Sequence, residues 1–256
     1  MSTPHLPPEL LDRIVDFLHD SRAALRSCCL VSKSWIPRTR THLFADVKLN
    51  TEGKLESWKA MFPDPSTSPA HYTKTLSFHL QSITVTGADW IKGFSRVVLF
   101  DGLCGTRTTT LVPLHGFSLA IRSLLLKLID LPSSQLFDFI LSFPLLEDLT
   151  VYNCHDVPID TRNSSDGLST VTQPSSTPAF TGTLFIYNTG GMKSVADQLL
   201  SLMGGIHFRE LVLYWYKEED ILSTIGLVEE CSHTLESLYI TCASFGVSIR
   251  YLRPHQ

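Results

Sequence analysis

Apolar positions fall into two textures along the chain. Over the first 48 residues they recur at helical spacing. Leu10, Leu11, Ile14, Val15, Phe17 and Leu18 are interleaved with Asp12, Arg13 and Asp16, which predicts an amphipathic helix. Pro7 and Pro8 suit its start, because a first-turn N–H has no intrahelical partner to lose. Asp20 and Ser21 are N-cap candidates for a second short helix. Ala24, Leu25, Cys28, Cys29 and Val31 supply its apolar positions and those of a third. Trp35 and Ile36 continue that third helix, and Pro37 disturbs or redirects it. Two or three helices of this length are too small a unit to be stable without covering partners.

From Phe44 onward the pattern shortens to an apolar-x-x-apolar-x-apolar template separated by helical or loop stretches. Leu146/Leu149/Val151, followed by Cys154, fits best. Ile121/Leu124/Leu126, Phe208/Leu211/Leu213 and Leu235/Leu238/Ile240 fit well. Phe44/Val47/Leu49, Thr73/Leu76/Phe78, Phe94/Val97/Leu99 and Thr181/Leu184/Ile186 fit less well. The first positions are 44, 73, 94, 121, 146, 181, 208 and 235, with intervals of 29, 21, 27, 25, 35, 27 and 27. Most lie in or near the 20–29 residue period of leucine-rich repeats. Helices are predicted between strands over Ser134 to Leu141, Ser194 to Met203 and Glu219 to Glu229. The longest interval holds a polar surface loop at about 161–178, rich in Ser, Thr, Pro, Asn and Gly.

Leu6-Pro7-Pro8-Glu9-Leu10, then Ile14, Leu18 and Leu25, then Cys28-Cys29-Leu30-Val31-Ser32-Lys33-Ser34-Trp35 resemble an F-box. That motif opens with Leu-Pro-x-Glu and closes with Val-x-(basic or small)-x-Trp. The match covers about residues 5–45. The segments behind it resemble the degenerate leucine-rich repeats that follow many F-boxes, notably in fungal families. The expected fold class is therefore α/β, with F-box helices over 1–45 and a leucine-rich-repeat solenoid over 46–256. Its parallel strands would alternate with helices or loops.

The resemblance implies the substrate-recognition adaptor of a cullin-based, SCF-type ubiquitin ligase. The F-box would bind a Skp-family adaptor, and through it a cullin. The repeats would bind an unknown protein substrate. The expected adaptor-binding residues are Leu6, Pro7, Ile14 and Leu18, with Leu25, Val31 and Trp35 behind them. These residues are more apolar surface than three short helices can hide among themselves, and such patches mark interfaces. Arg22, Arg26, Lys33, Arg38 and Arg40 lie nearby and would steer an acidic partner. The plainer alternative is that the helices only cap the first repeat, in a repeat scaffold with no ubiquitin role. Ser244 to Gln256 shows no closing helix. The last repeat would then be covered by its tail or a partner, or the chain would be a shortened product of a longer gene.

Alternation along each strand divides core from open face. The predicted open-face residues are Ser77 and His79, Val98 and Phe100, Leu125 and Lys127, Thr150 and Tyr152, Phe185 and Tyr187, Val212 and Tyr214, Tyr239 and Thr241. Aromatics thicken toward the C-terminal half, at Tyr152, Phe185, Tyr187, Tyr214 and Tyr239. Aromatic anchors dominate protein-binding hot spots, although strands enrich aromatics without any partner. The expected substrate surface is these five, centred on Tyr152, Tyr187 and Tyr214.

Composition narrows the remaining classes. The 256 residues are 43% hydrophobic and 18% charged, a balance tilted toward burial. A net charge of −4 argues against a dedicated nucleic-acid binder. No apolar run reaches the roughly 18 residues of a membrane span. The N-terminus lacks a secretory pattern, so a cytoplasmic or nuclear location is expected. Cys28, Cys29, Cys104, Cys154, Cys231 and Cys242 form no CxxC or zinc-finger spacing and read as reduced apolar fillers. No GxSxG, HExxH, GxxxxGK[ST] or GxGxxG occurs, and no catalytic site, cofactor or metal is expected.

Overall fold

The computed structural model describes residues 7–79, 90–103, 117, 120–131, 133–156, 178, 180–187, 192–202, 205–215, 220–242 and 246–253. The N-terminal pattern forms three short helices. α1 (Pro8–Phe17) starts with proline in its first turn. α2 (Arg22–Val31) is capped by Ser21, whose hydroxyl accepts the Ala24 N–H at 3.3 Å. A single 3-10 turn over Lys33–Trp35 leads into α3 (Ile36–Leu43). Pro37 sits in the first turn of α3, so it opens a helix rather than disturbing one.

Asp16 fastens α1 to α3. Arg38 Nε and Nη2 donate to its two carboxylate oxygens at 2.6 Å each, and His42 Nε2 lies 2.8 Å from Oδ1. These bonds, Arg38 first, hold the Asp16 carboxyl well below the usual carboxylate range. Arg22 Nη2 donates to the Asp46 carbonyl at 3.1 Å and ties α2 to the first strand.

The remainder is α/β. The strands are β1 (Asp46–Leu49), β2 (Thr75–His79), β3 (Leu99–Leu103), β4 (Ser123–Lys127), β5 (Asp130–Leu131), β6 (Asp148–Tyr152), β7 (His155–Asp156), β8 (Thr183–Tyr187), β9 (Glu210–Trp215), β10 (Ser237–Cys242) and β11 (Val247–Leu252). Nine form one open sheet whose order follows the sequence, and β5 pairs separately with β7. Among the described residues every pairing is parallel except β10 with β11. The connecting helices are α4 (Glu52–Met61), α5 (Ser133–Leu141), α6 (Met192–Leu200) and α7 (Asp220–Cys231). The last three fall where the pattern predicts them, with ends shifted by no more than three residues. α4 is an addition, capped by Thr51 and burying Leu55 and Trp58. None of the helices among the described residues is long and apolar enough to cross a membrane.

The core lies between the helices and one face of the sheet. Leu76, Phe78, Leu124, Leu126, Leu149, Val151, Leu184, Ile186, Leu211 and Leu213 are fully buried there. Each such side chain contributes roughly 1.5–3 kcal/mol relative to exposure. The third template is corrected. Phe100 pairs with Leu76 on one side and Leu124 on the other, so it occupies the first inward strand position. Val97, not Phe94, is the leading residue of that unit, and the flanking intervals become 97 − 73 = 24 and 121 − 97 = 24. Phe100 therefore belongs to the core, against Phe117 at 5.5 Å between ring centroids, and Asp101 takes its place on the open face.

Two left-handed residues end strands. Leu128 (φ 55°) and Asn153 (φ 51°) follow β4 and β6, and their N–H groups donate to the carbonyls of Tyr152 and Tyr187. The parallel ladder thus extends one residue beyond the strands. Cys154 then turns inward and is buried. The predicted polar loop falls largely outside the described residues, and Pro178 at its end is buried. At the C-terminus a turn through Gly246 (φ 61°) brings β11 back antiparallel to β10, so the tail supplies a strand and not a helix.

Candidate protein-interaction surfaces

The N-terminal helices leave an apolar stripe uncovered. Leu10, Ile14 and Phe17 lie four and three residues apart, hence on one face of α1. All three are exposed, Phe17 at 90%, while Val15 on the other side is buried. At the end of α2, Leu30 is 88% and Val31 68% exposed. Of the expected contact residues, Pro7, Ile14 and Val31 are exposed, and Leu18 and Trp35 are half-buried. Leu6 lies outside the described residues. Leu25 is corrected: it is fully buried among the helices and offers no surface to a partner. Leu10, Phe17 and Leu30 are the additions. All three are visible in the sequence as apolar residues, but only the fold shows that the described residues leave them exposed. Arg22 and Arg38 are engaged inside the chain, whereas Arg26, Lys33 and Arg40 face solvent.

The second surface is the face of the sheet opposite the core. Parallel register puts Tyr152, Tyr187 and Tyr214 side by side on β6, β8 and β9. The Tyr152 and Tyr187 rings stack with centroids 4.7 Å apart and planes 4° apart. Tyr187 and Tyr214 follow at 4.6 Å and 32°. Phe185 lies 6.3 Å from Tyr187 at 17°. Tyr239 stands apart from this ladder, one row over beside Val212, and is exposed. Hydrogen bonds from Thr241 and Ser248 hold its phenol below the ordinary value. The ladder rings are half-buried because they cover one another, and none of them enters the core.

Charge is distributed unevenly on this face. On the N-terminal strands Lys127 Nζ is 3.4 Å from Asp101 Oδ1, and the Ser77 hydroxyl donates to Asp101 Oδ2 at 3.2 Å. Where β6, β8 and β9 begin, Asp148 accepts the Thr183 N–H at 2.7 Å, and the Thr183 hydroxyl donates to Glu210 at 3.2 Å. Together with Arg209, Glu236 and Ser237 they line a polar pocket of about 340 Å³. A Cβ at Gly182 would collide with the Asp148 carboxylate, so glycine is required for that approach.

The described residues contain no group of three or more metal-ligating side chains. Cys28, Cys154, Cys231 and Cys242 are buried thiols outside any disulfide, and Cys29 is a half-buried one. Burial pushes the Cys231 thiol up to about 11, which keeps it protonated. Cys154 is buried while its neighbour His155 is exposed, so the pair does not converge on one point. Cys104 lies outside the described residues. Compared with known proteins, the chain matches no family model, no curated protein and no solved structure.

Proposed function

We propose that the protein is the substrate-recognition subunit of a cullin-based, SCF-type ubiquitin ligase. Its N-terminal helices act as an F-box that binds a Skp-family adaptor, and its sheet-bearing region acts as a degenerate leucine-rich-repeat receptor for a target protein. It performs no chemistry itself and needs no cofactor. The observation that carries this reading is the uncovered stripe of Leu10, Ile14 and Phe17 on helices whose residues follow the F-box motif in order. Isolated apolar residues on a surface are ordinary, but three on one short helix with a nearly bare phenylalanine are the mark of an interface.

The tyrosine ladder supports the second half of the reading. It lies on strands β6, β8 and β9, whereas the apolar stripe lies on α1, so adaptor and target would not compete for the same residues. A scaffold without a ubiquitin role is the second reading, because the ladder needs no contribution from the N-terminal helices. Co-purification with a Skp-type adaptor separates the two. The proposal expects a complex that is lost with Ile14→Asp and Phe17→Asp, and the scaffold reading expects no complex.

A further inference from the structure

The C-terminal edge of the sheet carries an apolar groove of about 450 Å³ between α7, β10 and β11. Ile225 and Val228 of α7 face Leu238 and Ile240 of β10 and Val247 and Ile249 of β11 across it. Leu222, Ile225, Val247, Ile249, Tyr251 and Leu252 are all exposed large apolar residues at this end. Such a concentration marks an interaction site. We infer that the groove is covered by a second copy of this chain, joined edge to edge through β11.

The topology points to the occupant. Another parallel strand stacked by the chain's own repeat would have to pair with β10, and β11 already holds that edge in antiparallel orientation. At this end of the sheet the edge left by the described residues is β11 itself. Arg253 N–H donates to the Glu236 carbonyl at 2.8 Å, so residues of its parity, Val247, Ile249 and Tyr251, direct their backbone groups at β10. Ser248, Arg250 and Leu252 therefore direct theirs outward. An antiparallel edge meets its own copy antiparallel through a two-fold axis, which is the isologous arrangement of most homodimers.

The residues of β11 select one register. With the axis at Ile249, Ile249 opposes Ile249 and Val247 opposes Tyr251, all on the groove side. Ser248 then opposes Arg250 on the open side, where Ser248 already lies 3.2 Å from the Thr241 hydroxyl. The outward N–H and C=O groups of residues 248 and 250 exchange hydrogen bonds. Shifting the axis to Arg250 would set two guanidinium groups directly opposite, which is unfavourable across strands. The two α7 helices flank the joint, and Ile225 of each, which lines the groove, lies beside it. A strand edge that no described residue covers is thereby paired and not left as a template for aggregation.

The test is the mass of the full chain by light scattering over a dilution series. The expected result is twice the monomer mass at high concentration, falling on dilution. Ile249→Lys places two ammonium groups at the axis and should weaken association at least tenfold. Arg250→Pro removes only an outward N–H, which an edge strand tolerates, and should do the same with the thermal transition retained. It decides the matter if Ile249→Lys fails to fold. Leu30→Lys, on α2, should leave the dimer intact. A monomer at all concentrations, slow amide exchange on β11 in a monomer, or a dimer that survives Arg250→Pro overturns the inference.

Discussion

The rings of Tyr152 and Tyr187, directly paired across β6 and β8, stack at 4.7 Å, which matches the roughly 4.7–4.9 Å spacing of hydrogen-bonded strands. Backbone pairing therefore sets the ring spacing, and Tyr214 repeats it at 4.6 Å. A ladder built this way is rigid before any partner arrives. A preorganised aromatic surface loses little side-chain entropy on binding.

Replacing Tyr152, Tyr187 and Tyr214 together with serine should abolish target capture and leave adaptor binding unchanged. The rings lie outside the core, so the thermal transition should move far less than for a core truncation. Quantitative proteomics of complexes purified with the wild-type and triple-variant chains checks this. An unchanged set of target proteins would remove the ladder from the recognition surface.

Asp16 makes the attachment of α1 acid-sensitive. Its carboxyl is lowered in the folded state from the ordinary 3.8, chiefly by the Arg38 bonds. The stability it contributes is full above that ordinary value and is lost as pH falls from there toward the lower folded value. Protection of the α1 amides, relative to their unfolded exchange rates at the same pH, should fall over this acid window in the wild-type chain. Asp16→Asn should exchange faster at neutral pH and lack the acid step. Identical profiles for the two chains would mean that Asp16 does not hold α1.

Phe100 and Val98 separate two registers of the third strand. Phe100 is fully buried, so Phe100→Ala should destabilise by about 3–5 kcal/mol. Val98 is exposed just before the strand, so Val98→Ala should cost no more than about 0.5 kcal/mol. Urea unfolding of both variants reads the difference. Equal losses would restore Leu99 as the inward residue.

Much of this architecture is legible in the chain because burial alternates with the backbone period. Leu124/Leu126, Leu149/Val151 and Leu211/Leu213 announce their strands directly. The third strand misleads because Gly102 has no side chain at the second inward position, and Val97 with Leu99 imitates the missing pair. α4 is obscured because Glu52, Lys54, Glu56 and Lys59 outnumber its two buried residues, Leu55 and Trp58. The tail's alternation of Val247, Ile249 and Tyr251 with Ser248 and Arg250 is a strand pattern, yet its partner cannot be read from so short a run. For the candidate surfaces, residue type is legible and exposure is not. Leu25 and Phe17 are both apolar residues at helical spacing, and only packing buries the first and bares the second. The tyrosines could be placed on one face from alternation, but their stacking depends on the register between β6, β8 and β9.

The measurement closest to the central claim is the affinity of the full chain for a purified Skp-family adaptor. The proposed function predicts saturable one-to-one binding. The double variants Leu6→Ala/Ile14→Ala and Ile14→Asp/Phe17→Asp should each weaken it at least tenfold, as loss of roughly 1.5–3 kcal/mol per buried side chain requires. The Tyr152/Tyr187/Tyr214 triple serine variant should bind the adaptor as the wild-type chain does. No binding by the wild-type chain, or undiminished binding by both double variants, would contradict the assignment of an adaptor surface to α1.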